Sequence, residues 1–235
     1  MLRGYERVAL AICASALVVI AASSVAARVG AAARIERYDE LTVRRLRVVD
    51  ASGATRLLLT GKPVPHNKIA GKQVPRITDA RMDAGIIFYN DRGDEQGALT
   101  YSGRDGEQGE ALTFDAWQQD QALEIQHSDG PSGSDSYIAG NELPHTSLYD
   151  DMVELNRAYA AAKTGEDRVA LRRRWRREGR LGYQRWIVGN SAGISQLALN
   201  DAKGHPRLRL RVTADGDARV EFLDADGNVV KSVTP

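Results

Sequence analysis

The stretch LTFDAWQQDQALEI, Leu112 to Ile125, holds the densest set of groups able to grip a ligand. Asp115, Gln119, Asp120 and Gln121 surround Trp117, and Asp91 and Glu95 stand in the hairpin before it. An indole stacks on sugar C–H faces while carboxylates and amides bond the hydroxyls, so this is the equipment of a carbohydrate or cell-wall site. Paired acids also suit glycoside hydrolysis, at carboxyl separations that a sequence does not fix. The competing reading is a wide polar turn around a partly buried Trp, because connections between strands are polar in any case.

Other catalytic vocabulary is sparse. His66, His127, His145 and His205 are scattered without the i, i+4 pairing of a metal-binding helix, and no nucleophile elbow or phosphate-cradling glycine loop occurs. Cys13 is the only cysteine, which excludes an intrachain disulfide and a cysteine metal site. The acidic tetrapeptides Asp50–Gly53, Asn90–Gly93, Asn190–Gly193, Asp201–Gly204 and Asp224–Gly227 resemble fragments of calcium loops. DADGNVVKSVTP, however, turns apolar after Asp224 and Asp226, where a calcium loop needs further oxygen ligands and a closing Glu. Chain reversal is the reading adopted: the leading Asp or Asn caps a type I turn and the Gly takes the left-handed conformation. No catalytic residue, metal or cofactor is expected.

A second concentration is cationic. Arg172, Arg173, Arg176 and Arg177 share a short segment with Val169, Leu171 and Trp175, a pattern that can meet an anionic lipid surface. The bland alternative is a solvated helix face paired with Asp150, Asp151 and Glu154 of the preceding segment. A net charge of +1 gives no global field toward nucleic acid, and none is expected as a partner.

These residues must be positioned by strands. LTVRRLRVV, RLLLT, GIIFY, ALTF, ALEIQ, RWIVG, SQLALN, RVEFL and VVKSV alternate or run apolar between the turn signals. In RLRLRV the alternation is strict, and Leu208, Leu210 and Val212 are expected on a core face with Arg207, Arg209 and Arg211 on a wet one. Gly193, Gly204, Gly216 and Gly227 recur at one strand plus one reversal, so the tail reads as an antiparallel meander. Gly61 to Gly85, with Pro63, Pro65 and Pro75, reads as an irregular strap over a sheet edge. Residues 147–180 read as a helical hairpin, with capping boxes at Ser147/Asp150 and Thr164/Asp167.

Val8 to Ala27 carries no charge and is long enough to span a bilayer, behind a head bearing Arg3 and Arg7. A cleavable signal peptide is the rival to an uncleaved anchor. Arg28, Arg34, Arg37, Arg44, Arg45 and Arg47 argue for a cytoplasmic domain by the positive-inside rule, whereas the short basic head is what export machinery reads. The expectation adopted is a single-pass chain of the cell membrane with an extracytoplasmic domain.

Read in order, YDELTVRRLRVVD, AGIIFYNDRGDEQGALTYSG, LTFDAWQQDQALEIQ and the closing strand-turn meander resemble a family of uncharacterised bacterial membrane-anchored or exported proteins built of repeated β-hairpins. The positions that carry the resemblance are Asp39, Glu40, Asn90, Asp91, Glu95, Phe114, Asp115, Gln119, Asp120 and Gln121. Trp117 and Tyr89 depart from it, standing where the family pattern has Tyr and Phe. The resemblance implies an architecture and no activity.

The expectation is therefore a mainly β protein, an antiparallel meander of β-hairpin repeats with an αα-hairpin insert and an N-terminal transmembrane helix. Its parts are an anchor or signal segment at 1–34, a β-hairpin region at 35–146, the helical insert at 147–180 and a C-terminal meander at 181–235 that packs with 35–146. The expected function is a membrane-tethered, non-catalytic binding or scaffolding module. Its partners would be the membrane, a protein or glycan, and a homo-oligomer through exposed strand edges. The alternative is a carbohydrate-binding or glycan-active protein using the Asp115–Asp120 region.

Overall fold

A computed structural model describes residues 35–62, 68–73 and 84–235. The expected membrane segment, Cys13 and His66 lie outside the described residues. No helix among the described residues is long and apolar enough to cross a membrane. Residues up to Thr42 and residues from Val43 onward form two separate units. In the first, Ile35–Thr42 is exposed and irregular, and the Tyr38 hydroxyl donates to Glu36.

The second unit is one antiparallel sheet of twelve strands whose spatial order follows the chain. Its strands are β1 (Arg45–Val49), β2 (Thr55–Thr60), β5 (Ala84–Tyr89), β6 (Glu95–Arg104), β7 (Glu107–Asp115), β8 (Gln121–Gly130), β9 (Gly133–Glu142), β10 (Tyr183–Ser191), β11 (Ile194–Asn200), β12 (Pro206–Val212), β13 (Ala218–Leu223) and β14 (Val229–Val233). A separate two-stranded ribbon, β3 (Lys68–Ile69) and β4 (Lys72–Gln73), lies within the Pro/Gly stretch. Two helices, α1 (Leu148–Ala161) and α2 (Gly165–Arg177), interrupt the sheet between β9 and β10. The first strand begins at Arg45, later than the alternation from Leu41 suggests.

The corners explain the meander. Asp50, Asn90, Asp201 and Asp224 each accept, at the carbonyl, the N–H of the glycine three places on, with N···O distances of 2.9 to 3.2 Å. Each side chain also takes backbone N–H groups two and four places ahead. A register shift follows at each corner, as a bulged hairpin requires. The corner at Asn190 differs from the sequence expectation. Asn190 remains in β10 opposite Ser195, and the reversal is the pair Ala192–Gly193, both at positive φ. That is the two-residue turn favoured by strand twist, and it leaves no room for a capped tetrapeptide.

The helical hairpin follows its start and stop signals. Thr164 and Asp167 form the reciprocal capping box, and Gly179 adopts positive φ just beyond the Glu178 cap of α2. At α1, Ser147 accepts instead from the N–H of Tyr149, one position short of the capping-box bond. Arg180 locks the pair: its guanidinium lies 3.7 Å from the Trp175 ring centroid, 2.5 Å from Asp151 and 2.6 Å from Glu154. Trp175 is fully buried.

The described part of the Pro/Gly stretch, 68–73, is held against the start of α1 and the β5–β6 corner. Gly71 N–H donates to Asp94 Oδ1 at 2.6 Å, and Ile69 packs with Leu148 of α1. Asp94 belongs to the corner between the interior strands β5 and β6, and Lys68 of the ribbon lines a hollow with Arg45 and Arg47 of the edge strand β1. A buried carboxylate that captures a backbone N–H holds it there.

Candidate binding surfaces

The cross-strand register gives the sheet two unlike faces. On one, Leu46, Leu59, Ile86, Leu99, Leu112 and Ile125 are successive partners across the first six strands. Ile138, Val188, Leu197, Leu210, Val220 and Val233 continue the row across the last six. A parallel second row on the same face runs through Val48, Leu57, Phe88, Gly97, Phe114 and Leu123, then Gly140, Trp186, Leu199, Leu208, Phe222 and Lys231. Period-two geometry places both rows on one side of the pleat. Gly140 exists in this row because the Trp186 indole lies across it, where any Cβ would penetrate the ring.

This aliphatic face is open. The exposed members of the first row, from Leu46 to Val233, keep 37 to 49% of their surface in solvent, and Val48, Phe114, Leu199 and Phe222 of the second row are exposed too. Near its C-terminal end the face is hollowed, and Val188, Leu210, Val212, Val220, Val233 and Pro235 help enclose about 670 Å³.

The opposite, mixed face is the closed one. Leu58, Ile87 and Ala98 form a buried cluster there with Tyr89 against it, and Ala139 and Ala198 are buried between larger neighbours. Glu221 is only 3% exposed on this face and is held by Arg209 at 2.8 Å, with Arg211 at 3.6 Å. The expectation for RLRLRV is thereby inverted. Leu210 and Val212 are exposed, whereas Arg209 and Arg211 are half-buried about a carboxylate. Alternation fixes which residues share a face, and the covering of that face is a tertiary matter.

The residues suspected of ligand contact separate. Gln119 is buried and its Nε2 donates to the Thr146 carbonyl, while Leu148 N–H donates to Gln118 O at 2.8 Å. The β7–β8 corner is thus the seat of α1, and Gln119 is a structural anchor. Trp117 projects from this corner, 60% exposed. Asp91 pairs with Arg56 of β2 at 2.8 Å, and Glu95 opens β6 opposite Tyr89. Asp115 closes β7 opposite Gln121.

Asp120 and Gln121 meet part of the arginine cluster instead. Together with Glu124 and Asn141 they line one wall of a cleft of about 780 Å³, whose other wall is Arg172, Arg176 and Arg177 of α2, with Lys203 and His205 at the rim. Arg173 lies outside this cleft and lines a hollow with Val169 and Ala170. Burial pushes the Glu124 carboxyl up from its ordinary value. An anion entering here would meet three arginines and Lys203 as well as the carboxylates of Asp120 and Glu124, an excess of positive charge offset in part by the acids. Among the described residues no cluster of His, Cys, Asp and Glu is able to hold a metal ion.

The corners have their own electrostatics. Ser52 and then Arg56 hold the Asp50 carboxyl down to about 2. At Asp201, desolvation works upward but is overcome by the N–H groups of His205 and Lys203 and by Arg207, leaving the carboxyl well below its ordinary range. Both clamps place an Arg six residues after the Asp, on the outgoing strand. The Asn228 side chain lowers Asp224 similarly.

No family model, curated protein or solved structure matches this chain. The surface that sequence reasoning missed is the aliphatic row. Its signal was present: Ile86, Leu99, Leu112, Ile125 and Ile138 recur every thirteen residues.

Proposed function

We propose that this chain is a non-catalytic binding or scaffolding module that docks a partner on the aliphatic face of its sheet and is tethered to the cell membrane, on the extracytoplasmic side, through Val8 to Ala27. The observation that carries the docking reading is the uninterrupted row from Leu46 to Val233. Apolar surface on this scale, contiguous and free of charge but for Lys231 at one end, is what interaction sites display and what isolated soluble surfaces avoid. The tether rests on the uncharged run of twenty residues and its basic head.

A cysteine reporter tests the docking. In a Cys13→Ser background, Ile138→Cys in the full chain, kept in its native membrane, is labelled with a polar maleimide before and after denaturation. Docking predicts labelling at least tenfold slower in the native sample. Native labelling as fast as that of the unfolded chain sinks the reading. For the tether, alkaline carbonate leaves the full chain in the membrane pellet and releases a chain lacking 8–27; release of both removes the anchor.

A further inference from the structure

We propose that the partner on the aliphatic face is a second copy of this chain, so that two sheets close face to face into a sandwich. This rests on the docking reading above and names its occupant. Three observations select it.

The first is extent. Twelve strands at ~4.8 Å spacing give a row about 50 Å long. Taking roughly 150 Å² for a large aliphatic side chain, the lower end of the aromatic range, two fifths open at the twelve exposed positions gives on the order of 700–800 Å², to which the half-buried members between them add. A stable interface of standard size needs ~800 Å² from each partner, so one copy supplies enough. A short peptide or a single helix would leave most of the row wet.

The second is shape. Apart from the hollow near its C-terminal end the face is a sheet surface, and the natural cover for a sheet face is another sheet at ~10 Å, its inward rows interdigitating. Open sheets of more than ~10 strands ordinarily curl or split, and long flat ones persist when stacked. A two-fold axis passing beside Ile125 and Ile138, which are mutual partners on the two central strands, gives the greatest overlap of the row with itself.

The third is charge. An interfacial membrane surface carries a basic collar around its apolar centre. Here the row flanking Leu99 and Leu112 holds Tyr101, Glu110, His127 and Ser136, an uncharged or acidic margin with no Lys or Arg among them. Over these central strands the margin lacks the basic collar that an anionic bilayer calls for, which favours a protein partner there.

The experiment uses the full chain in the Cys13→Ser background. Ile138→Cys reports on the aliphatic face near the proposed axis, and Ser128→Cys reports on the mixed face. Copper–phenanthroline oxidation in native membranes joins facing thiols directly as a disulfide, with no reagent having to enter the interface, and sedimentation equilibrium in neutrally buoyant detergent gives the mass. The expected result is a covalent dimer at Ile138→Cys at least tenfold more abundant than at Ser128→Cys, with a dimeric mass. A Leu99→Glu substitution in the Ile138→Cys chain, shown by circular dichroism to keep its β signal, removes the cross-link. If Leu99→Glu unfolds the chain, the contrast between Ile138→Cys and Ser128→Cys together with the mass decides alone. Protection of Ile138→Cys without cross-link and with a monomeric mass overturns self-association and leaves docking standing with a different partner. Protection that appears only with anionic vesicles assigns the face to lipid and overturns the proposal. Rapid labelling in every condition overturns both.

Discussion

Glu221 offers a sharp quantitative test of how the mixed face is held closed. Its Oε2 lies 2.8 Å from Arg209 Nη2 and 3.0 Å from Arg209 Nε, and its Oε1 lies 3.6 Å from Arg211 Nε. At an effective dielectric of ~20 the nearer contact is worth about 6 kcal/mol of attraction before desolvation. Removing a carboxylate from water costs several kcal/mol, so only a fraction survives as net stability. Losing one partner of a fully buried pair typically costs ~3–5 kcal/mol. Here the two arginines keep 28% and 27% side-chain exposure and recover part of their hydration, which sets the expectation for Glu221→Gln at about 2–3 kcal/mol. Arg209→Met should cost about as much, while the Glu221→Leu, Arg209→Met double variant, apolar and similar in volume, should return to within ~1 kcal/mol of the parent. With Glu221→Leu as the matching single variant at a similar cost, the coupling is about 3 kcal/mol or more, read by urea unfolding because guanidinium would screen the charges. A Glu221→Gln cost below ~0.5 kcal/mol, with no coupling, would mean that this pair behaves as an exposed one and that the face is not closed here.

Three further outcomes follow from single sites. Trp175→Ala should cost ~3–5 kcal/mol, because the indole is fully buried and also supports Arg180, and its loss should first appear as faster amide exchange in α1 and α2. Gly140→Ala forces a methyl into the Trp186 ring, and an expected loss of about 1–3 kcal/mol should be rescued by Trp186→Leu, which vacates the space. Asp50 has a folded pKa of about 2, below its unfolded value of ~3.9, so its stabilisation is fully present above pH ~4 and is lost as pH falls toward 2. Thermal melting across that window should therefore show a steeper acid decline for the parent than for Asp50→Asn, and identical slopes would remove Asp50 from the account.

Much of the fold is legible because its signals are local. An Asp or Asn three residues before Gly dictates a corner by its own hydrogen bonds, and strict alternation dictates a strand, so the meander can be read without knowing what packs on it. The Thr164–Asp167 box and Gly179 mark α2 by the same kind of local chemistry. Asn190 misleads because Ala192 accepts a left-handed conformation that residue type alone does not announce. The candidate surfaces are less legible. Gln119 looks like a ligand group in a polar run, yet it is buried and its amide nitrogen donates to Thr146, twenty-seven residues on, a pairing that only the return of the chain creates. Asp120 and Arg176 share a cleft for the same reason. The thirteen-residue aliphatic spacing is present in the sequence, but each member taken alone is indistinguishable from ordinary strand core.

That last point bears on why the two faces differ. The mixed face closes within one chain because its groups satisfy each other: arginines neutralise Glu221, small alanines sink between longer neighbours, and corner arginines clamp Asp50 and Asp201. Long polar side chains also shield their own stems. The aliphatic face has no such means. Leu, Ile and Val cannot cover one another laterally beyond contact with the next strand, and the exposed members keep about two fifths of their surface open although the sheet is fully formed. The ladders between neighbouring strands are already formed, and the open edges β1 and β14 can extend the sheet only sideways, so further stabilisation of this face has to come from above the plane. A single-layer sheet is thus finished on one side by its own sequence, and on the other only by a matching apolar surface.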